Sequence, residues 1–398
     1  MSENFIPLSK PSLQGNELKY VTEAIETEWV STAGPFIQSF EENTADYVNS
    51  TGAVAVQNGT SGLHIALEVI GTGREDEVIV PTLTFIAAVN PVKYCGAEPV
   101  FMDCDDSLCL DPNKLEKFFE KECEFSKGIL RNKATKKQIK AIVVVHVFGN
   151  MADMESILEV AEKYNLPVIE DATEAIGTYY KKGKHQGRYA GTMGTFGVFS
   201  FNGNKIMTTG GGGMIVSNDN ELLAQARHLI TQAKSDPLYY THDQVGYNYR
   251  MTNLQAALGL AQLEQLESFI ETKSINYSHY QEAIKKIPGL ELFSFRSSIR
   301  PNYWFYAIKV QSEYGLTRRE LIDSLEQEKI QARPIWDLIH HQQPYKNAQA
   351  YEIEKAPIYL NLIVNIPCSS DLSSRDVERV NVCLAKLNEP TEMGSDQY

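Results

Sequence analysis

The sequence predicts an α/β fold: a large domain over residues 1–255 built on a mostly parallel sheet with helices on both faces, and a smaller α+β domain over residues 256–398. Two observations carry this. From about residue 50 to 217, short β-branched runs alternate with helical patterns, the mark of repeated βα units. Runs such as 142–145 are apolar on successive residues, which suits strands covered on both faces rather than one.

In chain order, the predicted elements are the strand AVAVQN, a helix over 63–70, and the strands EVIVP and EPVFMD. KAIVVVH, an amphipathic stretch over 151–164, PVIED, FGVFSF and MIVSN continue the alternation. After residue 250 the pattern changes. A long helix is expected over roughly 254–275, then a turn at Pro288-Gly289 and a strand over 304–310. Thr317-Arg-Arg-Glu320 reads as a capping box, in which side chains at both ends satisfy backbone N–H groups, opening a helix with Leu321, Ile322 and Leu325 on one side.

Composition narrows the function. The chain has 398 residues, 43% hydrophobic and 22% charged, enough for a sizeable core. A net charge of -14 argues against nucleic acid, because that binding draws on Lys and Arg contacts to phosphate. Lys133, Lys136, Lys137 and Lys140 read as a solvated face beside a strand. No apolar run is long enough to cross a bilayer and the first residues lack a signal-peptide pattern, so a cytoplasmic location without a membrane partner is expected. The six cysteines are too scattered for a disulfide framework or a structural metal, and are expected as reduced thiols.

Three segments carry candidate chemistry. Gln57-Asn-Gly-Thr-Ser-Gly62 leaves a strand and enters a helix, where backbone N–H groups and the helix dipole favour a phosphate; simple capping is the competing reading. Glu170-Asp171 ends a buried strand, where ligands sit in open parallel sheets; a helix N-cap competes there. A protonated heterocyclic nitrogen would satisfy Asp171 equally well. Third, Lys205 sits in a turn of small residues between two strands, followed by Gly210–Gly213. A lysine among apolar and small residues has its charged form disfavoured, which frees the amine for Schiff-base chemistry.

Taken in order, Asn-Gly-Thr-Ser-Gly, Pro81-Thr-Leu-Thr-Phe85, Glu170-Asp-Ala-Thr-Glu174, Ser200-Phe-x-x-x-Lys205 and Gly246-Tyr-Asn-Tyr-Arg-Met251 resemble the DegT/DnrJ/EryC1/StrS family of nucleotide-sugar aminotransferases. The resemblance runs over nearly the whole chain. It implies fold type I of the pyridoxal 5'-phosphate (PLP) enzymes and an active site shared across a homodimer. Lys205 would hold the cofactor and shuttle a proton, and Asp171 would pair with the pyridine nitrogen. Phe85 would lie against the ring face and Glu174 near the 3-hydroxyl. Gly59, Thr60, Ser61 and Ser200 would hold the phosphate, with Asn248 reaching in from the partner.

Many family members carry Ser-Phe-His before the lysine and Gly-Glu-Gly-Gly after it, where this chain has Asn202 and Gly211. Asn202-Gly-Asn-Lys205, with Arg333-Pro-Ile-Trp336 and His340, resembles the branch that aminates C4 of UDP-linked 4-keto-6-deoxy-N-acetylhexosamines, as in bacillosamine and legionaminic acid pathways. Asn202, Arg333 and His340 are the substrate-binding candidates, the latter two toward the pyrophosphate. The expected reaction is a ping-pong transamination with L-glutamate as donor and a nucleotide-linked keto sugar as acceptor. A sugar-dehydrating relative would have histidine in place of Lys205. A non-catalytic regulator would show decay at Lys205, Asp171 or the glycines, and a nicotinamide oxidoreductase would need G-x-G-x-x-G after the first strand.

Overall fold

The structure is a computed structural model that describes residues 5–236 and 238–388. Its central sheet is built from β1 (Gly52–Val56), β2 (Asp76–Pro81), β3 (Glu98–Met102), β4 (Gln138–Val145), β5 (Val168–Asp171), β6 (Phe196–Ser200) and β7 (Gly213–Ser217). Across the sheet these seven run in the order β1-β7-β6-β5-β4-β2-β3, extended by Ala350–Tyr351 beside β3 and by the hairpin Cys123–Ser126 and Ile129–Asn132 beside the start of β4. Strands β6, β5, β4, β2 and β3 are mutually parallel. β7 runs antiparallel to both neighbours, β1 and β6. The chain returns from β6 to β7 through the turn that carries Lys205 with no crossover helix, and without a crossover the strands pair antiparallel.

Because side chains alternate across a strand, each strand feeds two cores. Ala141 and Val143 of β4 join Val78, Val80, Val198 and Ile215 on one face of the sheet. Ile142 and Val144 join Ile79, Phe199, Met214 and Val216 on the other. Burial on both faces is why 142–145 is apolar at every position.

In the first half the helices are α1 (Glu17–Glu26), α2 (Pro35–Val48), α3 (Gly59–Val69), α4 (Asn90–Tyr94), α5 (Pro112–Glu122), α6 (Met154–Lys163) and α7 (Asn220–Ile230). Leu63, Ile65 and Leu67 of α3 and Leu223 and Leu229 of α7 cover the first face, and Leu115 of α5 and Ile157 of α6 cover the second.

The long helix expected from about 254 is interrupted. It forms α8 (Asn253–Leu263) and α9 (Leu266–Ile284), with the break at Glu264 and Gln265. Gln262 and Gln265 both bond Glu17, and Glu264 accepts from Asn16 and Tyr20, so contacts to α1 and the residue before it hold the break. Beyond it, β8 (Leu290–Leu292), β9 (Tyr306–Val310), α10 (Arg318–Gln327), β10 (Arg333–Pro334), α11 (Lys355–Leu362), β11 (Ile363–Ile366) and α12 (Ser374–Lys386) follow. The strands form a second, antiparallel sheet in the order β8-β9-β11-β10. The Thr317 capping box is formed, and Leu321 and Leu325 are buried beneath it. The chain's start returns to this half: Ile6 bridges Ile330, and the Cys368 N–H donates to Leu8 O. Cys95 is half-buried and the other five cysteines are buried. Among the described residues, no helix is long and apolar enough to cross a membrane.

Candidate active site

At the carboxyl ends of β5 and β6, a cavity of about 360 Å³ opens against the N-terminus of α3. This is the end of a parallel sheet where loops and helix N-termini converge. Of the expected site residues, Gly59, Thr60, Phe85, Asp171, Glu174, Ser200, Asn202 and Lys205 all line it.

The α3 end is built by sequence. Asn58 is the N-cap, its side chain accepting from Ser61 N at 2.8 Å, so the capping reading of the Gln57–Gly62 segment holds, and Gly59 and Thr60 of the first turn line the cavity. A Cβ on Gly59 would stand 2.9 Å from Thr173 Cγ2 and 3.1 Å from Ser200 Cβ, so a side chain there would fill the cradle. Gly212 lines the cavity at φ +111, and a Cβ on Gly213 would meet Asn58 C and Gly59 N within 2.8 Å. The close approach expected of the glycine run falls on these two.

The adjacent acids of β5 part company. Glu170 turns into the protein, accepting from His146 Nε2 at 2.9 Å and from the N–H groups of Gly191, Met193 and Gly194. Asp171 faces the cavity, is 3% exposed, and accepts from the Thr173 N–H at 3.1 Å and from the Thr173 side chain. Burial pushes its pKa up, opposed by Thr173 and by the Lys205 charge. Glu174 accepts from Phe148 N at 2.8 Å, and burial raises its pKa to about 7 against the opposing pull of Lys205.

Lys205 Nζ lies 3.9 Å from Glu174 Oε1 and 4.0 Å from the centroid of the Trp304 ring. Burial lowers its pKa, with Glu174 and then Asp171 working in the opposite direction. Phe85 is 53% exposed and lies on the cavity wall rather than in the core.

Four candidates lie elsewhere. Ser61 is buried one residue deeper, its hydroxyl accepting from Gln57 Nε2 at 3.2 Å. Asn248 is exposed and its backbone pairs with Thr231, away from this chain's own cavity. Arg333 is exposed on β10, and His340 Nδ1 lies 2.5 Å from Thr82 Oγ1; neither reaches the wall. Trp336 lines the cavity instead, as do Trp304, Thr84 and Asn204, which sequence reasoning missed. Two of the chain's three tryptophans are thus at the cavity, and no local pattern in the sequence places Trp304 there.

A sheet of this topology, with a buried lysine facing a buried carboxylate and a helix N-terminus across one cavity, belongs to a fold type I PLP enzyme. The comparisons give the family: residues 11–385 match the DegT/DnrJ/EryC1/StrS aminotransferase family, and the chain belongs to it. It is 38% identical to a GDP-perosamine synthase of Caulobacter vibrioides over 96% of this chain and 98% of that one. It is 39% identical to one of Escherichia coli O157:H7 over 94% of this chain and 96% of that one. Among solved structures, a DegT/DnrJ/EryC1/StrS aminotransferase from Brucella abortus superposes with a TM-score of 0.84 at 26% identity, covering 94% of this chain and 96% of that one. The chain is thus a PLP-dependent sugar aminotransferase. Its residues fit the cofactor on their own chemistry. Asp171 is a buried carboxylate without an ion-pair partner among the described residues, the environment a protonated ring nitrogen would complete.

Proposed function

We propose that the protein transfers the amino group of L-glutamate to the keto carbon of a GDP-linked 4-keto-6-deoxyhexose, giving the 4-amino sugar. The observation that supports the reaction is the meeting of Lys205, Asp171 and Glu174 with the N-terminus of α3 around one cavity. GDP as the nucleotide rests on the GDP-perosamine synthases among the relatives. A second reading, a UDP-linked 4-keto-6-deoxy-N-acetylhexosamine, rests on Asn202-Gly-Asn-Lys205 and Arg333-Pro-Ile-Trp336.

When bound, PLP supplies an electron sink for the carbon that loses its proton. The chain's own groups do the rest. Lys205 binds the cofactor covalently and, once released, takes a proton from the donor's carbon as a neutral amine and delivers one to the sugar carbon. Burial disfavours its charged form, which works toward the neutral amine that this proton transfer needs. Asp171 holds the ring nitrogen in its protonated form. Gly59, Thr60 and Ser200 bind the phosphate, Ser61 completing the cradle by rotating its hydroxyl. Phe85 flanks the ring, and Glu174, with a pKa of about 7, exchanges a proton beside the 3-hydroxyl.

Asn202 at the cavity mouth and Arg333 contact the sugar nucleotide, the guanidinium matching the pyrophosphate. His340 acts through Thr82 rather than by contact. The site is shared with a second copy that supplies Asn248. In support, Leu238, Tyr239, Tyr240 and Val245, on the stretch of chain leading to Asn248, are each more than 70% exposed, an apolar surface that suits an interface.

The test is the visible absorbance of the PLP-loaded protein, recorded before L-glutamate, after it, and after GDP-linked and UDP-linked 4-keto and 3-keto sugars in turn. The cofactor band should fade with glutamate and return with the GDP-linked 4-keto sugar. Return with the UDP-linked sugar alone would establish the second reading, and the absence of any cofactor band would overturn the role of Lys205.

A further inference from the structure

We propose that Trp304 is a positioning residue that holds the free Lys205 amine against its indole face between the two halves of the reaction, without a directional bond that would keep it from leaving toward the cofactor. The proposal rests on the reading of Lys205 as the cofactor-binding, proton-carrying lysine. Among the described residues, Lys205 Nζ has no hydrogen-bond acceptor; its neighbours are the Trp304 ring, with its centroid 4.0 Å away, and Glu174 Oε1 at 3.9 Å. The indole is itself fixed. Its Nε1–H donates to Asn204 O at 2.8 Å, the carbonyl just before Lys205. Its backbone N–H donates to Asn302 Oδ1 at 2.9 Å, and Asn302 Nδ2 donates to Glu174 O and Ile176 O. Trp304 therefore ties the lysine turn to the loop that carries Glu174, and it is only 3% exposed.

The choice of a π face has a consequence. A carbonyl or carboxylate in hydrogen-bonding range would pin the amine in one direction. The negative face of an indole attracts an ammonium without a directional bond and lets it leave toward the cofactor. The charged groups that face the amine are Glu174 and Asp171, both from β5 and the turn after it. Removing the ring would take away the π contribution and the bond to Asn204 O, and a phenyl ring in its place would restore the first without the second.

The experiment uses the PLP-loaded protein after L-glutamate has freed Lys205, comparing Trp304→Leu and Trp304→Phe with wild type. The pH dependence of Lys205 labelling by acetic anhydride is read by mass spectrometry, and the rate of the glutamate-driven spectral change is read alongside. Cation–π contact favours the ammonium, so Trp304→Leu should lower the labelling midpoint by about one pH unit. The half-reaction should slow by about tenfold with KM for glutamate within about twofold. Trp304→Phe, which keeps a ring face but loses the bond to Asn204, should restore most of both. If the midpoint moves in neither variant, or if Phe behaves like Leu, Trp304 is only a structural tie and the proposal fails. Failure of the underlying reading is seen separately: Lys205→Ala would then keep its turnover, whereas the labelling comparison reads Trp304 regardless.

Discussion

Two buried lysines, in two regions of the molecule, separate what burial does from what a catalytic site needs. Lys205 stands at the cavity between the large sheet and Trp304, while Lys273, on α9, is 1% exposed and bonded to Cys368 O beneath the small sheet. Burial lowers the pKa of both. Each also lies near an aromatic ring, Trp304 at 4.0 Å and Tyr306 at 5.2 Å. The difference is in what remains open. Lys273 is pinned by a carbonyl in the core, whereas Lys205 faces a cavity and two carboxylates whose pKa values burial has raised. A depressed amine becomes a reactive one only where a substrate can reach it.

The largest effect expected from this comparison is at the lysines themselves. Lys205→Ala should lower transamination by at least about 10³-fold, since it removes both the cofactor bond and the proton carrier. Its circular dichroism should stay that of wild type. Lys273→Met, a replacement of similar length, should keep turnover within about threefold. Equal losses in both would mean that the two lysines act through stability alone, and the distinction drawn from the cavity would be lost.

The acids of β5 sharpen the same contrast over a single peptide bond. Asp171→Asn should cost about 10²-fold or more in turnover while leaving the melting temperature of the cofactor-free protein near wild type, because the amide still accepts from Thr173 N. Glu170→Gln should do the reverse. It strips the charge from a carboxylate that accepts from His146 and three backbone N–H groups, and is expected to destabilise the fold by about 3 kcal/mol. Thermal melts and steady-state rates on the same two proteins decide it.

The same contrast between local and distant contacts sets how far the sequence could be read. The seven strands β1 to β7 were legible because their side chains are buried on both faces, a pattern fixed within four to eight residues, whereas the short strands Cys123–Ser126, Ile129–Asn132 and Ala350–Tyr351 at the sheet's margin were not. Lys205, Asp171 and the Gly59–Ser61 turn were legible because each lies on a strand–turn unit whose small residues mark a close approach. Trp304 was not: it meets Asn204 across 100 residues, and as a bare sequence its surroundings read only as a strand. Arg333 and His340 were drawn toward the substrate by their neighbours in sequence. Their side chains go to an exposed edge and to Thr82, and the intervening Trp336 takes the cavity. The interruption of the 254–275 helix depends on Glu17, Asn16 and Tyr20, more than 200 positions away, and no local pattern encodes it.

The smallest effect concerns Lys273 and pH. A lysine whose folded pKa lies below its unfolded value binds fewer protons in the native state than in the unfolded one, so its contribution to stability rises with pH until the unfolded lysine titrates, near about 10.4. Lys205 in the cofactor-free protein adds in the same direction. The buried thiols oppose it: burial raises Cys104, Cys109, Cys123 and Cys368, so stability falls as pH passes the unfolded thiol value of about 8.5. The informative quantity is therefore the difference between proteins, in which the thiols cancel. Urea midpoints of cofactor-free wild type and Lys273→Met, taken from pH 6.5 up to the unfolded lysine value of about 10.4, should show wild type gaining on the variant as pH rises. A constant difference would mean that Lys273 keeps its proton in the fold with an ordinary pKa, held by Cys368 O and Tyr306 strongly enough to offset its burial. Burial would then not be what distinguishes either lysine, and the case for Lys205 would rest on its cavity and its acids alone.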